Sequence, residues 1–142
     1  MNEEVMRFFF SFCAVVMLTL CGNAFAIDCG NPPGGTDLES AQVNYQCSEK
    51  DRRAADLKLN QTYKKLLSSL KDDPDNGVIP KTQIISAQRT WVAFRDAECD
   101  FRTSLNGGAR QWLMVNHSQC LTELTEQRTK ALQDYLKQAL DQ

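Results

Sequence analysis

Four cysteines behind an apolar N-terminal run limit this chain more than any other feature. The run from Phe8 to Leu20 is interrupted only by Ser11, Cys13 and Thr19. Arg7 precedes it, and Ala24-Phe25-Ala26 supplies the small-x-small pattern read by signal peptidase. It is too short to span a bilayer comfortably and has the length of a signal-peptide core. Residues 1–26 are therefore expected to be a removable leader and residues 27–142 a single domain. Glu3 and Glu4 offset the positive charge usual ahead of such a run, so Met6-Arg7 makes the more regular start than Met1. Leu18-Thr19-Leu20-Cys21-Gly22 also resembles a lipoprotein cleavage box, but Leu20 stands where a small residue is wanted. Soluble export to the periplasm is the expectation, and lipidation of Cys21 the alternative.

Of the 6 cysteines, Cys29, Cys47, Cys99 and Cys120 remain after cleavage. An even number in a small exported domain reads as two disulfides. Three pairings are open. The sequence-local one, Cys29 with Cys47 and Cys99 with Cys120, closes loops of about 20 residues, each contributing about 3 kcal/mol in the chain-entropy model. That is a large share of a total stability of about 5–15 kcal/mol. A metal site is not expected. There is no Cys-x-x-Cys, and His117-x-x-Cys120 offers only two ligands on one helical face.

Taking Arg7, Glu3 and Glu4 from the 16 basic and 18 acidic side chains leaves a net charge of −1. So small a charge carries no electrostatic footprint for nucleic acid or a membrane surface.

Periodicity predicts an all-α bundle of about four helices. Thr36-x-x-Glu39 reads as a capping box opening a short helix that ends near Cys47. A second helix is expected from about Ser48 to Leu70, with Ala55, Leu59, Tyr63, Leu66 and Leu70 in a stripe about 80° wide. Asp72-Asp73-Pro74-Asp75-Asn76-Gly77 then breaks the chain. The third helix, about Lys81 to Leu105, carries one apolar lobe at Ile84, Trp91, Phe94 and Phe101 and another at Ile85, Val92 and Cys99. Two lobes predict a helix sandwiched between two others. Asn106-Gly107-Gly108 should end it with a left-handed cap.

The last helix, about Ala109 to Ala139, is expected to bury Leu113, Cys120, Leu121, Leu124, Leu132 and Tyr135. It should pair with the third as an antiparallel hairpin clipped by Cys99–Cys120. Between the lobes of the third helix, Gln88, Arg95 and Arg102 lie seven apart on one line. A buried guanidinium is costly without a carboxylate partner. Asp56 and Asn60 on the second helix are the expected partners in a structural polar network, the alternative being the floor of a ligand groove. Arg128, inside the last helix's apolar arc with His117, is expected to be buried and paired with Asp56 or Asp96.

Catalytic constellations are missing. With one histidine and no Gly-x-Ser-x-Gly, no Ser-His-Asp hydrolase can be assembled. No phosphate-cradling loop and no Cys-x-x-Cys-His haem motif is present. Glu98 and Glu123 could be nominated as a glycosidase pair, but any helical protein offers such carboxylates. No enzyme activity and no cofactor are expected.

Ala55-Asp56-x-x-Leu59-Asn60-x-x-Tyr63, Ala87-Gln88-Arg89-x-Trp91-x-x-x-Arg95-Asp96-x-x-Cys99 and Cys120-x-x-x-x-Thr125-x-x-Arg128 resemble the lysozyme inhibitor LprI-like N-terminal domain family. The resemblance runs from Cys29 to about Leu136, and its central block is the most specific part. It implies export, helices tied by disulfides, and binding of a lysozyme-type muramidase. It transfers no binding residue. The acidic turn of Asp72, Asp73 and Asp75 is the local candidate for engaging a basic enzyme. The alternatives are an immunity or adaptor protein for another cell-envelope enzyme and, less favoured, an enzyme acting on the cell wall.

Overall fold

The computed structural model describes residues 27–141. The expected leader and the candidate cleavage box at Cys21 lie outside the described residues. Three long helices carry the fold: α1, Leu38–Ser69; α2, Pro80–Asn106; and α3, Arg110–Leu140. A short 3-10 turn, Pro74–Asn76, sits between α1 and α2. No strand occurs among the described residues, so the all-α class holds, with three helices instead of about four. None of them is long and apolar enough to cross a membrane.

The difference in number lies at Cys47 and Ser48, where a break was expected and α1 runs on. The Ser48 hydroxyl donates to the Tyr45 carbonyl at 2.9 Å, the back-bonding that lets serine sit inside a helix. Cys47 bonds Cys29, which holds the preceding loop alongside α1 without ending it. The helix start is also one residue later than the capping box suggests. Asp37 is the cap, its carboxylate accepting from the Ser40 amide at 2.9 Å and the Ser40 hydroxyl at 2.8 Å. Those hydrogen bonds, the amide's first, hold the Asp37 carboxyl below its ordinary pKa.

Cross-helix pairs set the directions. Along α2 and α3, Asp100 meets His117, Cys99 meets Cys120, and Gln88 meets Arg128, so the two run antiparallel. Along α1 and α3, Glu49 meets Ser118 and Leu66 packs with Leu132, so these two run parallel. At about 1.5 Å per residue the helices are about 40–48 Å long, and α3 packs most extensively on α1 and less on α2. Gly107 and Gly108 take positive φ values of 60° and 97° in the tight link between α2 and α3, which glycine adopts without steric cost.

The core is two clusters along α3. Leu59, Leu66 and Leu132 form one, and Cys99, Cys120 and Leu124 the other. Trp91 packs against both. Between α1 and α3 the buried positions include Ser118, Thr125 and Thr129. The Thr129 hydroxyl is satisfied by the Thr125 carbonyl at 2.8 Å.

Two expectations fail here. The α2 helix is not sandwiched: Phe94 and Phe101 are 53% and 56% exposed, because no fourth helix among the described residues covers them. Tyr135, expected in the core, is also exposed, on the wall of an open groove it shares with Leu66, Pro80 and Ile84.

Candidate functional site

Asp56, Gln88, Arg95, Asp96 and Arg128, among the polar side chains singled out in the sequence, come together near Trp91 with residues from all three helices. On α1, Glu49, Arg52 and Asp56 recur at i, i+3 and i+7, so they share one face. Arg52 grips Glu49 with two bonds, at 2.8 and 2.9 Å, and donates to Asp56 at 2.8 Å. Arg95 on α2 reaches the other Asp56 oxygen at 3.2 Å. The same guanidinium donates to the Thr125 hydroxyl of α3 at 3.2 Å and pairs with Asp96 at 2.8 Å. Glu49 accepts from Ser118 of α3 at 2.9 Å. The result is an alternating chain of charges, Glu49–Arg52–Asp56–Arg95–Asp96, in which every carboxylate has a guanidinium.

Arg52, first through its hydrogen bonds, lowers the pKa of Glu49, and Glu49 in turn raises that of Arg52. The side chain of Arg95 is only 15% exposed, and its guanidinium lies 5.4 Å from the Trp91 ring centre, a cation–π distance.

Arg128 does not take the partner expected of it. Arg52 and Arg95 take the two Asp56 oxygens, and Asp96 pairs with Arg95. The Arg128 Nε donates instead to the Gln88 amide oxygen at 3.0 Å, and its guanidinium lies 5.8 Å from the Trp91 centre. Its Nη2 is buried without a hydrogen-bond partner. Asn60 is exposed one turn beyond Asp56 and makes no hydrogen bond among the described residues. Arg102 bonds Glu98 at 2.8 Å and Glu123 at 3.4 Å near the surface.

Sequence reasoning missed Glu49, Arg52 and Ser118, and named Thr125 only within the family pattern, without a role. The Glu-x-x-Arg-x-x-x-Asp spacing was a usable signal for the first two. Nothing local marked the two hydroxyls, which matter only because α1 and α2 come to lie against them.

The chemistry open to this junction is structural, because its ionised groups neutralise one another. A groove of about 370 Å³ lies next to it, lined by Arg128 with Leu66, Leu70, Pro80, Ile84 and Tyr135 among its walls. Gln88, Arg95 and Arg102 do not line it. His117 pairs with Asp100 at 3.1 Å. Cys120 is disulfide-bonded to Cys99 and is not available as its co-ligand. No group of three metal-binding side chains occurs among the described residues.

The acidic turn is built unevenly. Asp72 caps α2, accepting from the Lys81 amide at 2.8 Å and the Thr82 hydroxyl at 2.6 Å. The Thr82 hydroxyl bond foremost holds its carboxyl below the ordinary pKa. Asp73 accepts from Asn76 Nδ2 at 2.7 Å and makes a two-bond bridge with Val78. Asp75 is exposed on the 3-10 turn. Of the three, Asp75 has the carboxylate least committed to the fold.

A family model described as "Lysozyme inhibitor LprI" matches residues 36–132, from the loop before α1 to the second half of α3. The chain belongs to the LprI lysozyme inhibitor family. An uncharacterized protein of Rhizobium meliloti (strain 1021) is 33% identical over 101 residues, covering 66% of this chain and 71% of the relative. No solved structure matches. The LprI match takes in Asp56, Gln88, Trp91, Arg95, Asp96, Cys99, Cys120, Thr125 and Arg128. In this chain those residues join the helices and line no shared opening, so the resemblance at these positions is a resemblance of architecture.

Proposed function

We propose that this chain is an exported binding domain that inhibits a lysozyme-type muramidase without catalysing a reaction of its own. The observation that carries the reading is the LprI match, which spans most of all three helices together with the Cys99–Cys120 clip. Two disulfides are at home in an oxidising compartment outside the cytoplasm. They also favour a stiff body, which keeps down the ordering cost of binding.

The acidic turn is the surface we assign to the enzyme. Asp72 and Asp73 are spent on holding the turn, and Gly77, at φ 73°, closes it. Asp75 is thereby presented to solvent on a fixed support, where a carboxylate suits the basic rim of a lysozyme.

The test is lysis of bacterial cell walls by lysozyme, followed by turbidity, with purified oxidised protein added. Stoichiometric inhibition is expected, weakened by reduction of the disulfides. Asp75→Asn should weaken inhibition about 2- to 5-fold and flatten its salt dependence, as for a rim charge. Lack of inhibition against several lysozyme types would sink the reading and favour a partner elsewhere in the envelope. Release of fragments from peptidoglycan by the protein alone would show an enzyme.

A further inference from the structure

One face of α2 contacts the rest of the bundle through Ile84, Trp91 and Cys99. A different face of the same helix is left open. Ala87, Thr90, Phe94, Ala97, Phe101 and Ser104 recur in alternate steps of three and four, the heptad spacing of a helix–helix seam. All of them are exposed and none is charged, in a chain whose residues are 24% charged. A single exposed phenylalanine is ordinary. Two on a charge-free heptad row are an interaction surface.

We propose that this face pairs antiparallel with the same face of a second copy of the chain. The alternation of sizes selects both the occupant and its direction. Within the row, Ala87, Phe94 and Phe101 hold one heptad position, while Thr90, Ala97 and Ser104 hold the other. A parallel pair would set Phe94 on Phe94 and Ala97 on Ala97, alternating over-thick layers with gaps.

An antiparallel pair exchanges the two positions across the seam. Phe94 then meets the second copy's Ala97, Phe101 meets its Thr90, and Ser104 meets its Ala87. Each layer occurs twice about a two-fold axis, the self-complementary match that a symmetric dimer requires. Both phenylalanines meet small residues, which is how packed layers interdigitate, and the outer layer sets Ser104 on Ala87. Leu105, 69% exposed, extends the seam opposite Ser86. A basic enzyme would find no carboxylate within this row, so the face is separate from the acidic turn and fits a copy of itself better.

A row about 27 Å long and about 10 Å wide buries about 270 Å² per copy. That is about a third of the usual share of a stable interface, so the dimer is weak and reversible.

Sedimentation equilibrium of the oxidised protein from about 1 to about 500 µM should show a concentration-dependent monomer–dimer exchange. Ala97→Glu places a charge in the central layers at an exposed position. It should raise the dissociation constant at least about tenfold while the thermal midpoint at low concentration stays unchanged. Phe101→Ser should act in the same direction without adding charge. Under mild oxidation, Ala87→Cys and Ser104→Cys proteins should cross-link to each other when mixed and not to themselves. A parent that stays monomeric throughout overturns the proposal. So does a dimer indifferent to both surface changes, or an Ala87→Cys protein that cross-links to itself.

Discussion

Trp91 sits where the two core clusters meet, and two guanidinium groups lie near its ring. The two arginines should nevertheless differ sharply in worth. Arg95→Ala strands Asp56 beside a packed helix, removes a donor from buried Thr125 and uncovers Trp91. A cost of about 2–3 kcal/mol is expected, toward the lower end for a broken buried pair because Asp56 keeps Arg52. Arg95→Lys should recover only part of it, since an ammonium lacks the planar fork.

Arg128→Ala loses one amide hydrogen bond and one ring contact, and it also removes a buried nitrogen that has no partner. About 1 kcal/mol is expected. Urea unfolding of the three variants checks the order.

Glu49 adds a pH dependence. Its folded pKa is depressed, with Arg52 the leading cause, so its contribution is fully present above the unfolded value near 4.5 and is lost as pH falls through the lower folded value. With the carboxylate partly in water, about 1 kcal/mol or less is at stake. Thermal midpoints should be flat with respect to this group above about pH 5 and decline in more acidic buffer. Glu49→Gln should flatten that decline.

At the scale of elements, ends decide more than middles. Helix α1 survives a serine, and the start of α2 depends on a residue outside it. Ile79 at its N-cap position makes no side-chain cap bond, and Asp72, from across the turn, accepts from Lys81 and Thr82 instead. Changing Asp72 to Asn leaves a weaker acceptor and removes negative charge from a helix N-terminus. Lower thermal stability is expected from Asp72→Asn, and little change from Asp75→Asn, both read by circular dichroism melts. Replacing the three turn aspartates together would therefore mix charge with folding, and Asp75 alone is the clean electrostatic probe. Glycine has a similar role at Gly35, where an added Cβ would run into the Asp37 carboxylate and the Ser40 hydroxyl.

At the scale of the molecule, three helices about α3 leave the two disulfides with unequal tasks. They close loops of similar length, with sequence separations of 18 and 21, so chain entropy assigns each about 3 kcal/mol. Cys99 and Cys120 also belong to a core cluster, and their bond clips α2 to α3. Cys29–Cys47 fastens only the loop ahead of α1. Paired Cys99→Ser and Cys120→Ser changes should cost the full chain-entropy amount or more, because two hydroxyls enter an apolar cluster. The Cys29→Ser and Cys47→Ser pair should cost less and show first as proteolytic cleavage in the loop before α1, with the helical melt barely moved. Equal losses of thermal midpoint would contradict that division.

Local order was legible in the residues. Apolar spacing placed the stripe of Leu59 and Leu66, and turn residues and glycines placed the break at Asp72–Gly77 and the stop after Asn106, because each depends on contacts or dihedrals within a few residues. The even cysteine count and hairpin reasoning pointed to Cys99 with Cys120 for the same reason, since a tight link brings neighbouring helices back together. Periodicity reports which way a side chain leaves its own helix and says nothing of what waits there. Only the tertiary structure decided that Arg95, and not Arg128, holds Asp56, because Arg52 along α1 and Arg95 across from α2 take its two oxygens. It also decided that Phe94 and Phe101 face outward. Their apolar spacing is that of a packed seam, and no fourth helix among the described residues meets it.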